Sequence, residues 1–251
     1  MDAPSRSKRL FLSERGLILE YGNRIDPQIN GRVRLMTAAI GEKKIPGVVN
    51  LMPTFRSLLV EYDPLSISLD HLNEAIDAIE DDLGDRKPPP GRYFELLTYY
   101  GEPYNYDTDR IAAHNGLSAE EVVRIFSEAT LYIYMIGFIA ALPNIGGLPE
   151  CLHTPRLPSP RVLLPAGVVG LGGQQVAICP VDLPSGFNYI GRCFQKIYDP
   201  YRFPPCPYAA GDRIRFKAVS LEEAQAHQDE FPEPVQELEH RTSNDQRPTS
   251  N

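Results

Sequence analysis

Residues 154–180 read TPRLPSPRVLLPAGVVGLGGQQVAICP, with a proline before each of two arginines, Arg156 and Arg161, and glycines breaking up the apolar bursts that follow. Proline fixes the local backbone, so less entropy is lost in presenting a planar guanidinium fork to a carboxylate or phosphate. Arg192, after NYIG, is a third such group, and Gln175 supplies an amide beside them. Together these four residues point to recognition of an anionic substrate, and none of them is a nucleophile. The competing reading is that individual arginines tie loops together through backbone carbonyls. Gly146, Gly147, Gly172 and Gly173 would let backbone approach a ligand closely, and amides in glycine turns bind anions without a lysine. Tight barrel turns explain the same glycines: no Lys-Ser or Lys-Thr follows GVVGLGGQQ, and the Gly-x-Gly-x-x-Gly spacing fails at Gln175.

Other chemistries lack their residues. The histidines, His71, His114, His153, His227 and His240, have no metal or triad spacing, so no metal site is expected. Asp182 and Asp199 flank the arginine segment as candidates for base or magnesium duty, with turn capping as the alternative. Cys151, Cys179, Cys193 and Cys206 form no Cys-x-x-Cys pair and read as buried thiols. The spacing of AAHNGLSAEEVVRI suggests a helix-turn-helix. Its second helix, however, carries Glu120, Glu121 and Glu128 against Arg124 alone, which argues against nucleic acid as a partner.

The net charge of −8 is unevenly spread. Residues 69–150 hold 15 acids and 5 bases, residues 151–217 hold 3 acids and 8 bases, and residues 221–251 hold 8 acids and 2 bases. The cationic segment is therefore the one that carries the arginines, and such an excess concentrates anionic ligands locally whatever the net charge. No secretory h-region opens the sequence, and no run approaches the roughly 18 apolar residues of a membrane span, so the expected location is the cytoplasm, without a membrane partner.

The elements that must position these groups fall into two domains. A strand over 11–22 precedes a helix capped by Asp26, with Pro27 in its first turn. Two strands around Met52-Pro53-Thr54 follow, and then a helix from Ser68 to Gly84 with apolar residues spaced 3, 4, 3, 4. This β-α-β-β-α order predicts a ferredoxin-like α+β sandwich over 10–86. The stiff DRKPPPG at 85–91 marks a boundary. A strand and two short helices follow, the second with a Ser118/Glu121 capping box, and from Leu131 to Phe216 short Val-, Ile- and Tyr-rich runs punctuated by Gly and Pro predict a β-barrel or sandwich within 92–218. Residues 221–251 read as an acidic, mobile tail with one short helix over SLEEAQAHQ.

The wording and order of IDPQINGRV, IPGVVNLMPTFRSLLVEYDP, HNGLSAEEVV, YMIGF, GGLPECLHTPR, PAGVVGLGG, IGR, YDP and AGDRIRF resemble the family of the bacterial 5-oxoprolinase B subunit, also called allophanate hydrolase subunit 1, over roughly 10–217. The resemblance implies a cyclophilin-like barrel, a homologous C-type partner subunit, relation to the carboxyltransferase part of urea amidolyase, and use of ATP with magnesium by a hydrolase that opens a cyclic amide. It also implies an alternative, a catalytically silent inhibitory module of the KipI kind that grips a partner protein. The sequence departs from the family where Ala140, Ala141 and Asn144 stand for Pro, Gly and Tyr, Val168 for Ser, Val176 and Cys193 for Thr, Cys179 for Tyr, and Phe126 for His; LPSGF at 183–187 replaces Ser-Pro-Gly-Gly-Trp. Hydroxyls replaced by methyl groups or thiols keep shape while removing strong hydrogen-bonding atoms, which leaves enzymatic activity open.

Overall fold

A computed structural model describes residues 6–84 and 86–236. The first unit is a four-stranded antiparallel sheet backed by two helices. Its strands are β1 (Lys8–Phe11), β2 (Gly16–Glu20), β3 (Val48–Pro53) and β4 (Ser57–Tyr62), in the order β1-β2-β4-β3, with α1 (Pro27–Lys43) between β2 and β3 and α2 (Leu69–Leu83) after β4. Both helix starts are capped as their sequences require. The Asp26 carboxylate accepts from the Gln28 and Ile29 amides, and the Ser68 hydroxyl accepts from the His71 amide. Leu17, Leu19, Val33, Met36, Val60 and Ile76 meet in the core.

The stretch expected as one strand over 11–22 is a hairpin instead, turning at Ser13, which has φ 64°. Its outer strand, Lys8–Phe11, lies almost wholly before the stretch expected as strand. Arg9 in fact reaches across to α2 and pairs with Asp77 at 2.7 Å and Glu80 at 3.1 Å, and the buried Glu80 carboxylate also accepts from the Tyr21 hydroxyl at 2.7 Å.

Residues 86–92 run without regular structure into the second unit. Here β5 (Tyr93–Tyr99), β6 (Leu131–Ile136), β7 (Pro143–Gly146), β9 (Val168–Gly172), β10 (Gln175–Ile178), β12 (Asn188–Cys193) and β13 (Arg213–Ala218) close into a barrel of order β10-β7-β6-β13-β5-β12-β9. Closure removes the exposed edges that short strands would otherwise leave. A separate pair, β8 (Arg161–Leu164) and β11 (Leu183–Ser185), stands outside the barrel. The helices α3 (Thr108–Asn115) and α4 (Ala119–Glu128) lie between β5 and β6 in sequence, and Phe126 of α4 stacks on Phe216 of β13 within the core. The Ser118/Glu121 capping box is formed.

The segment expected to be mobile from 221 is folded against the barrel as far as it is described. Ala224 of α5 (Leu221–Ala226) is buried, the Lys196 amide donates to the Glu230 carbonyl at 2.9 Å, and the Val235 amide donates to the Tyr93 carbonyl at 2.9 Å. Its acidity misled because the contacts come from backbone and a few apolar side chains. Residues 237–251 lie outside the described residues. No described helix is long and apolar enough to cross a membrane.

One fully buried side chain joins the two units. Asn30 of α1 donates to the carbonyls of Thr54, Phe55 and, across the boundary, Tyr134, and it accepts from the Tyr132 hydroxyl. Phe55 stacks on Tyr134 beside it, with ring centroids 5.3 Å apart. Replacing Asn30 with Ala strands these buried groups, so Asn30→Ala is expected to lower the unfolding free energy by about 2 kcal/mol, read from urea denaturation.

Candidate functional site

The three arginines singled out by sequence are engaged by different partners rather than gathered in one pocket. Arg161 at the start of β8 is an internal ion pair. Its two terminal nitrogens donate to the two oxygens of Asp107 at 2.8 and 2.7 Å, and the Asp107 side chain is only 5% exposed. Asp107 also accepts from the Tyr189 amide and gives its own amide to the Tyr189 carbonyl, both at 2.8 Å. The geometry thus uses Arg161 to fasten β8 to β12, and its charge is already matched. This corrects the expectation that it faces a ligand.

Arg156 has no carboxylate within ion-pair distance among the described residues. Its guanidinium carbon lies 4.6 Å from the centroid of the Phe187 ring, a cation–π placement, and its Nη2 makes a long 3.5 Å contact with Gln175 Oε1. Arg156 and Gln175 are therefore brought together, as expected. Gly172 permits it, since a Cβ there would lie 2.8 Å from the Phe187 ring and 3.0 Å from Arg156 Cγ.

Arg192 sits toward the opposite end of β9. It pairs in register with Val168, so about 13 Å of strand separates it from Gly172. Its guanidinium lies over the rings of Tyr104 (5.0 Å) and Phe194 (4.6 Å), with Nε donating to the Ala166 carbonyl and Nη1 to the Tyr104 hydroxyl. It lines a shallow cleft of about 180 Å³ with Gly167, Gln195, Lys196, Tyr198 and Gln228.

The glycines serve turns and packing. Gly172 pairs with Gln175 across a two-residue hairpin turn, and Gly173, at φ 64°, gives its amide to the Thr154 carbonyl. Gly146 lies in the ladder opposite Tyr132 and against the Tyr134 ring, and Gly147 turns the chain at φ 88°. The Gly173 amide is thus committed to backbone. Asp182 and Asp199 accept from the amides of Ala166 and Tyr201, the turn roles that competed with base duty. His153 contacts the Leu148 carbonyl. Among the described residues no three His, Cys, Asp or Glu side chains gather for a metal ion. ATP with magnesium finds no fitting site at the glycine turn, which carries no lysine, or at the Arg192 cleft, which falls below the usual 300–1,000 Å³ of small-molecule sites.

Two of the four cysteines are buried as expected, Cys179 and Cys193; Cys151 is exposed and Cys206 is half-buried. Burial pushes the Cys179 thiol up to about 11 and the Cys193 thiol up to about 12, which removes both as nucleophiles near neutrality.

Sequence reasoning missed the residues that hold the arginines. Phe187, Tyr104 and Phe194 read as generic aromatics, although Phe194 lies two positions after Arg192, where strand alternation places both on one face. It also missed Asp107, and Asn188, whose fully buried amide accepts from Arg110 Nε at 2.9 Å and donates to the carbonyls of Pro155 (3.0 Å) and Leu171 (3.2 Å).

The family described as "Carboxyltransferase domain, subdomain C and D" matches residues 8–208. The B subunit of 5-oxoprolinase from Bacillus subtilis is 31% identical over 230 residues, covering 87% of this chain and 95% of that protein. Its counterpart from Escherichia coli O157:H7 is 32% identical over 220 residues, covering 84% and 95%. The crystal structure of Kluyveromyces lactis urea carboxylase shares the fold, with a TM-score of 0.71 at 19% identity, over 90% of this chain and 23% of that one.

Two outcomes follow from the geometry. Asp107→Ala is expected to cost about 2–3 kcal/mol in urea denaturation, less than for a fully buried pair because Arg161 is 30% exposed, whereas Arg156→Ala changes stability by under about 1 kcal/mol. In native protein at pH 8, Cys151 is expected to react with a thiol reagent well before Cys179 and Cys193, as mass mapping of the labelled peptides would show.

Proposed function

The chain belongs to the carboxyltransferase-domain family, and from that premise we propose that it is one subunit of an ATP-dependent amide hydrolase or carboxyltransferase of the 5-oxoprolinase type, holding an anionic substrate or intermediate for a C-type partner subunit. One observation carries the reading: Arg92, Arg124, Arg161, Arg202 and Arg215 of the second unit each have a carboxylate within ion-pair distance, whereas Arg156 and Arg192 rest on aromatic faces without one among the described residues. A stacked guanidinium keeps its charge and its orientation, so less is lost in ordering it when an anion arrives. Because neither the glycine turn nor the Arg192 cleft fits a nucleotide, the reading places ATP use away from both. The ferredoxin-like description of the first unit and the cyclophilin-like description of the barrel belong to this same reading, supported by the sheet order and the barrel closure.

The surface suits a subunit. Val162 (88% exposed) and Leu163 (67%) stand outward on β8, and Phe138 (93%) is exposed in the loop whose Ile139 packs on the same cluster as Leu164 and Leu183. Exposed apolar side chains grouped in this way mark association surfaces. The inhibitory-module alternative draws support from Val168, Val176, Cys179 and Cys193, buried and without strong polar atoms where the family carries hydroxyls.

Co-expression with the C-type subunit encoded alongside separates the two. The enzyme reading expects a stable complex that turns over ATP with 5-oxoproline or a urea derivative, a KM raised roughly tenfold or more by Arg156→Ala or Arg192→Ala, and complex loss on Val162→Asp/Leu163→Asp. A tight complex without turnover leaves the inhibitory module. No complex at all overturns both.

A further inference from the structure

We infer that Arg110 and Arg156 form a two-guanidinium clamp for a small dianion, organised by the buried amide of Asn188; the inference rests on the anion-binding reading of Arg156 and adds a residue to it. Asn188 is fully buried and bonds through both ends of its amide: Oδ1 accepts from Arg110 Nε, and Nδ2 donates to the carbonyls of Pro155 and Leu171. One amide therefore fixes the guanidinium of Arg110, on α3, to the backbone just before Arg156. Asn188 adjoins Phe187, the ring over which Arg156 lies, and Leu171 adjoins Gly172, whose missing Cβ makes room for Arg156. Asn115, also on α3, donates to the Thr154 hydroxyl two residues before Arg156, so the helix and the Pro155–Arg156 segment are tied at two points.

The charges here are uncompensated. Arg110 has no carboxylate within ion-pair distance among the described residues, and neither has Arg156. The acid one turn before Arg110 is Asp107, whose two oxygens are taken by Arg161. Asp109 is the adjacent residue in the helix and does not face Arg110. With Nε committed to Asn188, the Nη1/Nη2 edge of Arg110 remains, two parallel N–H bonds that match the two oxygens of a carboxylate or phosphate. Arg156 is exposed, stacked and weakly held by Gln175. Two cations on one buried support favour a dianion over a monoanion. The chemistry shared by the candidate ligands is a pair of anionic oxygens per guanidinium, carried by a dicarboxylate or a phosphate.

Isothermal titration of the full chain with malonate, and separately with inorganic phosphate, tests the clamp. Wild-type protein is expected to bind at least one of them in the millimolar range or tighter. Tighter malonate binding assigns a dicarboxylate and tighter phosphate binding assigns a phosphate, and either supports the clamp. Arg110→Gln is expected to weaken the preferred probe roughly tenfold at unchanged circular dichroism and melting temperature. Arg110→Lys, which keeps the charge without the fork, is expected to recover only part of the loss, and Arg124→Gln, at an exposed arginine paired with Glu128 on α4, to leave binding unchanged. If Arg156→Gln abolishes binding while Arg110→Gln leaves it within twofold, the clamp is overturned and the anion-binding reading of Arg156 survives. If neither variant alters binding, or wild type binds neither probe at millimolar concentration, both fall.

Discussion

Asp107 decides which positive charges of the barrel remain available. A carboxylate that is 5% exposed is costly to bury unless its oxygens are satisfied, and Arg161 and the Tyr189 amide satisfy them. The same residue pairs with Tyr189 through its own backbone amide, so one position joins the loop before α3, the outer strand β8 and the barrel strand β12. That loop carries Tyr104 and Tyr106, the rings that meet Arg192 and Arg161. Removing one arginine from the pool of ligand-binding cations thus fixes the platform on which another is stacked. Without the Asp107 pair, Arg161 would be a mobile surface cation and Tyr104 would sit on an untethered loop.

Arg110, Arg156 and Arg192 are held by groups that orient without neutralising. Phe187, Tyr104 and Phe194 present ring faces, Asn188 presents an amide oxygen, and the Ala166 carbonyl takes Arg192 Nε. None of these carries a net charge, so the local potential stays positive in a chain of net charge −8. In the first unit Arg6, Arg9, Arg15, Arg24 and Arg56 each have an acid within ion-pair distance, and Arg9 with the buried Glu80 holds a strand to a helix, while Arg34 donates to the Pro89 carbonyl.

Much of this was legible in the sequence wherever local rules governed. Asp26, Ser68, Ser118 and Gly84 mark helix ends through hydrogen bonds or backbone angles that depend on nearby residues alone, and the structure places them there. The cationic segment was legible from composition. The partners of each arginine were not, because Asp107 lies 54 residues from Arg161 and Arg110 lies 78 from Asn188, and no periodicity reports such separations. Residues 8–10 were not read as strand for the same reason: what balances Arg9 is on α2. The segment from 221 was read from its charge, but its attachment to the barrel runs through backbone groups that composition does not reveal.

The departures from the family's usual wording acquire a physical meaning once placed. Val168, Val176, Cys193 and Phe126 are all at 0–1% exposure, and Cys179, also buried, has a single polar neighbour, the Tyr189 hydroxyl at 3.4 Å. An apolar group at such a depth needs no hydrogen-bond partner, so these replacements raise cohesion and remove reactive or bonding atoms together. Burial holds the Cys179 and Cys193 thiols protonated near neutral pH, and Asp182 and Asp199 are engaged in turns. Among the arginines of the barrel, Arg110, Arg156 and Arg192 are left as oriented cations. Oriented cations stabilise charge on a bound molecule but do not attack it.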